Sequence, residues 1–241
     1  MGSSFNAPTG AAVDGSGDVF VADYGNSAVK EIVAVNGVVS SSSTVHTVGS
    51  GFSYPFAVSV DVSGDVFAAD YENNAVKEIV AVNTVGSGFS YPNGVSVDGR
   101  GDVFVADNNN NAVKEIVAVN GMVSSSSIVN TVGNDFSHPY GVSVDGGGDV
   151  FVADFSNHAV KEIVATNGVV SSSSTVNTVG SGFSEPFGVA VDGSRNVFVA
   201  DGGSGTAKEI VTVNGGHDPQ NCCNRFVIGM LSLYLSGPRL H

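Results

Sequence analysis

The sequence predicts an all-β protein built from repeats, and three observations support this prediction. One motif occurs five times along the 241 residues, as in Val97-Asp-Gly-Arg-Gly-Asp-Val-Phe-Val-Ala-Asp107. Within each copy, β-branched and aromatic residues alternate over short runs that end in Gly, Asn or Asp. Successive copies are 47, 37, 47 and 47 residues apart, counted between their first aspartates Asp14, Asp61, Asp98, Asp145 and Asp192. A unit repeated at this period is typical of a repeat architecture.

Each repeat is predicted to contain four strands. In the third repeat, strand one is Gly94-Val-Ser-Val97, strand two is Val103-Phe-Val-Ala-Asp107, and strand three is Ala112-Val-Lys-Glu-Ile-Val-Ala-Val119. An Asn-Gly pair, the strongest two-residue hairpin signal, follows strand three. Strand four is then predicted over the serine-rich run Val-Val-Ser-Ser-Ser-Ser-Thr-Val-x-Thr-Val-Gly, whose polarity suits an outer edge.

The second repeat is ten residues shorter than the others, because Asn83 is followed directly by Thr84-Val-Gly86. Ten is an even number, and side chains alternate between the two faces of a strand with a period of two. We therefore expect the deletion to shorten the hairpin between strands three and four while each side chain keeps its face of the sheet.

The repeats define one domain over residues 1–213, and an atypical tail covers residues 214–241. Counting 47 residues on from Asn177-Thr-Val-Gly180 leads to Asn224-Arg-Phe-Val227. The tail is accordingly predicted either to supply the outer strand of the last repeat or to be an unrelated extension.

The composition argues against several classes of function. The chain has 23 acidic and 9 basic residues and a net charge of −14, which disfavours nucleic acid and anionic membrane surfaces as partners. The two cysteines, Cys222 and Cys223, are adjacent, so they indicate neither a disulfide framework nor a metal site. No signal peptide and no membrane-spanning run is recognisable.

The motif Gly-Val-x-Val-Asp-x-x-Gly-Asp-Val-Phe-Val-Ala-Asp-x-x-Asn-x-Ala-Val-Lys-Glu-Ile resembles the NHL repeat, over about residues 5–213. The resemblance implies a five-bladed β-propeller with one four-stranded antiparallel blade per repeat, and it favours an extracellular or periplasmic location. Familiar members of the family have six blades, so the five either close on themselves or are completed by another chain. Because blades bury their faces only against neighbouring blades, we expect a closed ring.

In a propeller, the connectors from strand four to strand one and the turns from strand two to strand three lie on the same face. The repeats differ from one another mainly at these positions, which flank the connector proline and follow the strand-two aspartate. This face is predicted to bind a ligand at the mouth of the central channel. The predicted ligand-binding residues are Tyr24, Tyr54, Phe56, Tyr71, Tyr91, Asn93, Asn108, His138, Tyr140 and Phe155.

Few residues suggest catalysis or metal binding. The strand-two aspartates Asp23, Asp70, Asp107 and Asp154 are candidates for a shared Ca²⁺ site, although each could instead cap its own polar turn. The Asp-Gly-x-Gly-Asp turns and the repeated Lys-Glu pairs are interpreted as structural. His138 is the one candidate for a general base, and no Gly-x-Ser-x-Gly elbow is present.

Three hypotheses about function follow. The first is a rigid recognition module that binds a small ligand, glycan or peptide on the variable face, with oligomerisation through the tail as a further expectation. The second is a Ca²⁺-dependent hydrolase of the lactonase type, or a lyase, with the metal at the channel mouth. The third is a structural surface protein. The sequence does not decide whether the protein is an enzyme.

Overall fold

A computed structural model describes residues 5–79, 83–213 and 216–217. They form a five-bladed β-propeller of antiparallel sheets, as predicted. Blade 1 contains β1 (Pro8–Val13), β2 (Val19–Asp23), β3 (Ala28–Ile32) and β4 (Val45–Gly49). Blade 2 contains β5 (Pro55–Val60), β6 (Val66–Asp70), β7 (Ala75–Glu78) and β8 (Asn83–Ser87). Blade 3 contains β9 (Pro92–Val97), β10 (Val103–Asp107), β11 (Ala112–Ile116) and β12 (Val129–Gly133).

The last two blades follow the same strand order. Blade 4 contains β13 (Pro139–Val144), β14 (Val150–Asp154), β15 (Ala159–Ile163) and β16 (Val176–Ser181). Blade 5 has three described strands, β17 (Pro186–Val191), β18 (Val197–Asp201) and β19 (Thr206–Ile210). A short pair, β20 (Thr212–Val213) and β21 (Gly216–His217), follows. The predicted outer strand at residues 224–227 lies outside the described residues.

The blades are held together by repeated apolar interfaces. Between blades 3 and 4, Phe104, Ala106 and Val113 pack against Val150, Val152 and Ile163, and all six are fully buried. Equivalent faces pack between blades 1 and 2, where Ala68 replaces the second valine, between blades 2 and 3, and between blades 4 and 5. At about 25 cal/mol per Å² of apolar surface removed from water, these interfaces dominate the stability of the fold.

The predicted closure of the ring is not formed among the described residues. The innermost strands β1, β5, β9, β13 and β17 pack in chain order, but no comparable contact joins β17 to β1. A Cβ atom on Gly10, Gly94 or Gly141 would lie within 3 Å of the next blade's backbone, whereas one on Gly188 would meet only Ala200 of its own blade. Blade 5 therefore does not pack against blade 1 in the way that successive blades pack together.

The shortened second repeat keeps its register, as predicted. Lys77 pairs with Thr84 and Glu78 with Asn83 in blade 2. In blade 3 the equivalent pairs are Lys114 with Thr131 and Glu115 with Asn130. The even-numbered deletion therefore leaves each described side chain on the face that it occupies in the full-length repeats.

The predicted fourth strand was too long, and so was the third. Strand three ends at the isoleucine of Ala-Val-Lys-Glu-Ile, and strand four begins only at Val45, Val129 and Val176 in the longer repeats. The serine run forms a turn instead: the Ser40 amide donates to Ser43 Oγ, and the Ser42 amide donates to Ser40 Oγ. Serine hydroxyls compete for the backbone groups that a strand would need.

Candidate functional site

The strand-two aspartates fix the face on which the variable residues lie. In blade 3, Asp107 Oδ1 accepts a bond of 2.6 Å from the amide of connector residue Ser90, and Oδ2 accepts one of 2.8 Å from Asn110 Nδ2 in the turn between strands two and three. Asp23, Asp70 and Asp154 make the same two bonds. Connectors and turns therefore meet at one end of the propeller, which we call the rim.

A lysine of the same blade neutralises each of these aspartates. Lys114 Nζ lies 2.6 Å from Asp107 Oδ2, 2.7 Å from the carbonyl oxygen of Gly88 and 5.4 Å from the centre of the Phe89 ring. All five strand-two aspartates are buried and form this ion pair, in which the lysines are Lys30, Lys77, Lys114, Lys161 and Lys208. The lysine of the Lys-Glu pair thus fastens the connector to the rim within its own blade.

This arrangement disfavours the predicted Ca²⁺ site. Each of the candidate carboxylates Asp23, Asp70, Asp107 and Asp154 is occupied by an ammonium group, an amide side chain and a backbone amide. Within the described part of the chain, no group of three His, Cys, Asp or Glu side chains is placed to hold a metal ion. The residues present therefore do not fit a metal centre at the channel mouth.

The predicted ligand-binding aromatics come together at the rim. Eight rings form one connected network in which neighbouring centroids lie 4.7–6.2 Å apart. Every blade contributes at least one ring, and the network even links Phe56 of blade 2 to Tyr140 of blade 4 at 6.0 Å. The eight residues are Tyr24, Tyr54, Phe56, Tyr71, Tyr91, Tyr140, Phe155 and Phe187.

Three of these rings remain open to solvent. Tyr54 and Tyr91 are each 38% exposed and Phe187 is 41% exposed, so part of each ring is accessible to a ligand. Burial raises the pKa of Tyr24, and the neighbouring Tyr71, Glu72 and Tyr54 add to the shift. Burial also raises the pKa of Tyr71, with additions from Tyr140, Tyr91 and Glu72, so both rings stay neutral phenols at physiological pH.

Blade 3 places two amides within this aromatic rim. Asn93 is 1% exposed, and its Oδ1 has no hydrogen-bond partner among the described residues. Asn108 is also buried, and its Nδ2 donates a bond of 3.1 Å to the carbonyl oxygen of Pro139. An unsatisfied buried acceptor costs about 1–3 kcal/mol, and the Asn93 oxygen lies below the solvent-accessible surface of the rim.

His138 lies at the rim, as predicted, but without a complete catalytic group around it. Its Nδ1 lies 3.2 Å from Ser156 Oγ, and its backbone amide donates to Asn111 Oδ1. Both side chains of the Ser156–His138 pair are exposed, and within the described residues no carboxylate orients the imidazole. The pair therefore lacks the third group that positions the base in a hydrolytic triad.

Sequence reasoning did not include three rim residues among the ligand-binding candidates. Phe187 and Glu185 flank the last connector proline, and Glu72 follows Tyr71 and accepts a bond of 3.0 Å from Ser53 Oγ. The position of Glu72 is occupied by Gly25, Asn109, Ser156 and Gly203 in the other repeats. This variation between the repeats could have identified Glu72 as a candidate ligand-binding residue.

On the opposite face, the Asp-Gly-x-Gly-Asp turns are held by their own hydrogen bonds. Asp102 Oδ1 accepts a bond of 2.7 Å from the Ala118 amide, and Asp98 Oδ1 accepts bonds from the amides of Arg100 and Asp102. The two turns approach so closely that a Cβ on Gly101, which has φ of +85°, would lie 2.5 Å from the Gly121 carbonyl oxygen. The structural interpretation of the Asp-Gly-x-Gly-Asp turns is therefore supported.

The fold and its aromatic rim define a β-propeller with one chemically distinctive face. The NHL repeat model matches residues 5–32, 89–116 and 136–163, which begin in the connectors of blades 1, 3 and 4 and end with strand three. The chain is therefore a β-propeller that matches the NHL repeat at three positions. No curated protein matches the sequence significantly.

Solved structures with similar folds come from differently named proteins. A nidogen/laminin complex matches with a TM-score of 0.69 and 16% identity, over 87% of this chain and 78% of that chain. A gluconolactonase from Xanthomonas campestris matches with a TM-score of 0.66 and 14% identity, over 90% of this chain and 77% of that chain. A calcium-binding protein, regucalcin, from Agrobacterium tumefaciens matches with a TM-score of 0.62 and 13% identity, over 89% of this chain and 73% of that chain. At these identities the likeness concerns the fold alone. No helix among the described residues is long and apolar enough to cross a membrane.

Proposed function

We propose that the protein is a rigid recognition module whose rim binds a small molecule, a glycan or a peptide segment. The observation that supports this most is the convergence of eight aromatic rings from all five blades on one face. Exposed aromatic clusters with a few polar groups are typical of binding surfaces, because rings give large contact area at low conformational cost.

The rim is also preorganised. Five buried Lys–Asp ion pairs and the bonds from each aspartate to its connector hold the loops beneath the rings. A loop that is already fixed loses little conformational entropy when a ligand binds. Rigid presentation of side chains on a scaffold is the way in which many loop-based binding sites work.

A Ca²⁺-dependent hydrolase or lyase is the second candidate, because the fold is similar to those of a gluconolactonase and of the calcium-binding protein regucalcin. Against it stand the four candidate carboxylates, which already bind lysines. We therefore expect that neither Ca²⁺ nor EDTA changes the melting temperature. A saturable increase in melting temperature with Ca²⁺ would instead support the metal-dependent alternative, because a ligand that binds only the folded state stabilises it.

The proposal is tested by screening the full chain on arrays of glycans, metabolites and peptides, beside two variants. Tyr24→Ala/Tyr71→Ala removes two rings from the network, and Val62→Ala alters an 89% exposed residue in the turn that follows β5, on the opposite face. The double variant is expected to lose the ligands that the wild type retains, by roughly 10-fold or more in affinity for two lost aromatic contacts. If Val62→Ala lost them while the double variant kept them, the rim would not be the binding face.

A further inference from the structure

The chemistry of the rim is uneven, and this bears on the class of ligand. Glu72 and Glu185 both lie at the rim, and neither forms an ion pair among the described residues. The strand-three lysines beneath the rim are paired with the buried aspartates, and Arg100 and Arg195 belong to turns of the opposite face. The rim therefore combines aromatic rings with uncompensated negative charge.

Four of its side chains are close together at the junction of blades 1 and 2. The rings of Tyr24 and Tyr54 contact each other in a tilted pair, with centroids 4.7 Å apart and planes inclined by 36°. Phe56 connects this pair to Tyr71, because its ring lies 6.2 Å from that of Tyr24 and 5.8 Å from that of Tyr71. Glu72 is exposed beside them, and its carboxylate adds to the raised pKa values of both Tyr24 and Tyr71.

We infer that Tyr24, Tyr54, Tyr71 and Glu72 form a site for a small organic cation that carries a quaternary ammonium group. The inference rests on the proposed function of the rim and narrows its ligand class. Ring faces attract a cation through their quadrupole, by about 0.5–1 kcal/mol each at exposed sites and about 2 kcal/mol when water is excluded. The Glu72 carboxylate adds direct charge attraction.

A methylated ammonium fits these residues better than a primary one. A primary ammonium carries three N–H donors that must find acceptors when water is displaced. The four residues offer one carboxylate and three phenol groups, and one carboxylate oxygen already accepts a bond from Ser53 Oγ. A quaternary ammonium has no N–H donor to satisfy, so it loses less hydration when it contacts the rings.

The experiment uses tyrosine fluorescence of the full chain. Tryptophan is absent, and five of the six tyrosines, Tyr24, Tyr54, Tyr71, Tyr91 and Tyr140, lie at the rim, so the emission reports mainly on this face. Choline is titrated beside 3,3-dimethyl-1-butanol, a neutral molecule of nearly the same shape. We expect saturable binding of choline at least fivefold tighter than that of the neutral analogue.

Three variants refine the test. Glu72→Gln is expected to weaken choline binding about two- to fivefold, in the range of an exposed charge pair, and Tyr54→Ala by roughly three- to tenfold. Glu185→Gln is the matched control, because it removes the same charge from the same face outside the four-residue site, and it should change the affinity less than twofold. A Glu185→Gln effect as large as that of Glu72→Gln would overturn the location of the site.

The inference and the proposed function fail in different ways. Equal binding of choline and its neutral analogue, weakened in both cases by Tyr54→Ala, would overturn the cation class while the rim remains a binding face. Choline binding that no rim variant weakens would overturn both. Absence of saturable choline binding up to roughly 50 mM, well above a millimolar dissociation constant, would overturn the inference, and the array screen would then decide the function of the rim independently.

Discussion

Replacing Glu115 by glutamine should stabilise the protein at alkaline pH and have little effect in acid. Glu115 is 5% exposed in the middle of β11, and burial, helped by the nearby Asp102, raises its pKa to about 7 from 4.5. The Arg100 charge and a hydrogen bond with Asn130 lower the pKa only in part. In the next blade the equivalent Glu162 binds Arg195 at 2.8 Å, but the residue 47 positions before Arg195 is Gly148, which offers Glu115 no cation.

The sign of the effect follows from the direction of the shift. The folded-state pKa of Glu115 lies above the unfolded value, so ionisation costs folding free energy. The cost is absent below about pH 4.5, grows between about pH 4.5 and 7, and is complete above about pH 7. Because the pKa rises from 4.5 to about 7 and each tenfold change in an equilibrium constant is about 1.4 kcal/mol, ionised Glu115 lowers the free energy of unfolding by about 3 kcal/mol at pH 8. Glutamine avoids this cost at every pH.

The assay is urea unfolding of the wild type and Glu115→Gln at pH 4 and pH 8. We expect the variant to gain about 1–3 kcal/mol at pH 8, or on the order of 5 °C in melting temperature, and to gain nothing at pH 4. Glu162→Gln is the matched control and should lose stability at pH 8, because its partner Arg195 then loses a carboxylate. If Glu115→Gln destabilised the protein at pH 8, the burial of an uncompensated carboxylate would be refuted.

Two further predictions concern the interior. Phe151→Ala should lower the free energy of unfolding by about 3–5 kcal/mol, because Phe151 is fully buried between blades 4 and 5. Phe198→Ala, at the unclosed end of blade 5, should lower it less than half as much in the same urea unfolding assay. Equal losses would mean that this face of blade 5 is covered. Lys114→Met should cost about 3–5 kcal/mol, because it leaves the buried Asp107 carboxylate without its ammonium partner, as circular dichroism melting can show. A cost in the range of an exposed ion pair, below about 1 kcal/mol, would contradict the buried ion pair.

The repeat period made much of the fold predictable. Hydrophobic alternation defined strands one and two, and the Asn-Gly pairs marked the following hairpins correctly: Asn36 and Gly37 both have positive φ, as a type I′ turn requires. The even-numbered deletion in the second repeat fixed the register of β7 and β8. These features depend on local patterns, which five near-identical copies repeat.

Features that depend on contacts between distant residues were not predictable in the same way. The partner of Lys114 is Asp107, across a strand pair, whereas the repeated Lys-Glu motif indicated only a structural role and no particular partner. The expected contact between β17 and β1 did not form, and the repeat period carries no information on how side chains such as Phe104 and Val150 pack between blades. For the rim, the sequence identified the variable residues, while the 6.0 Å contact between Phe56 and Tyr140 required the structure.

The central claim is that the aromatic rim is the binding face, and a crystallographic fragment screen tests it most directly. Crystals of the full chain are soaked with a library that contains ring compounds, sugars and ammonium compounds. We predict that bound fragments concentrate on Tyr24, Tyr54, Phe56 and Tyr71, with those bearing ammonium groups beside Glu72. Fragments gathered instead around the Asp-Gly turns of the opposite face, with an accessible rim left empty, would contradict the account.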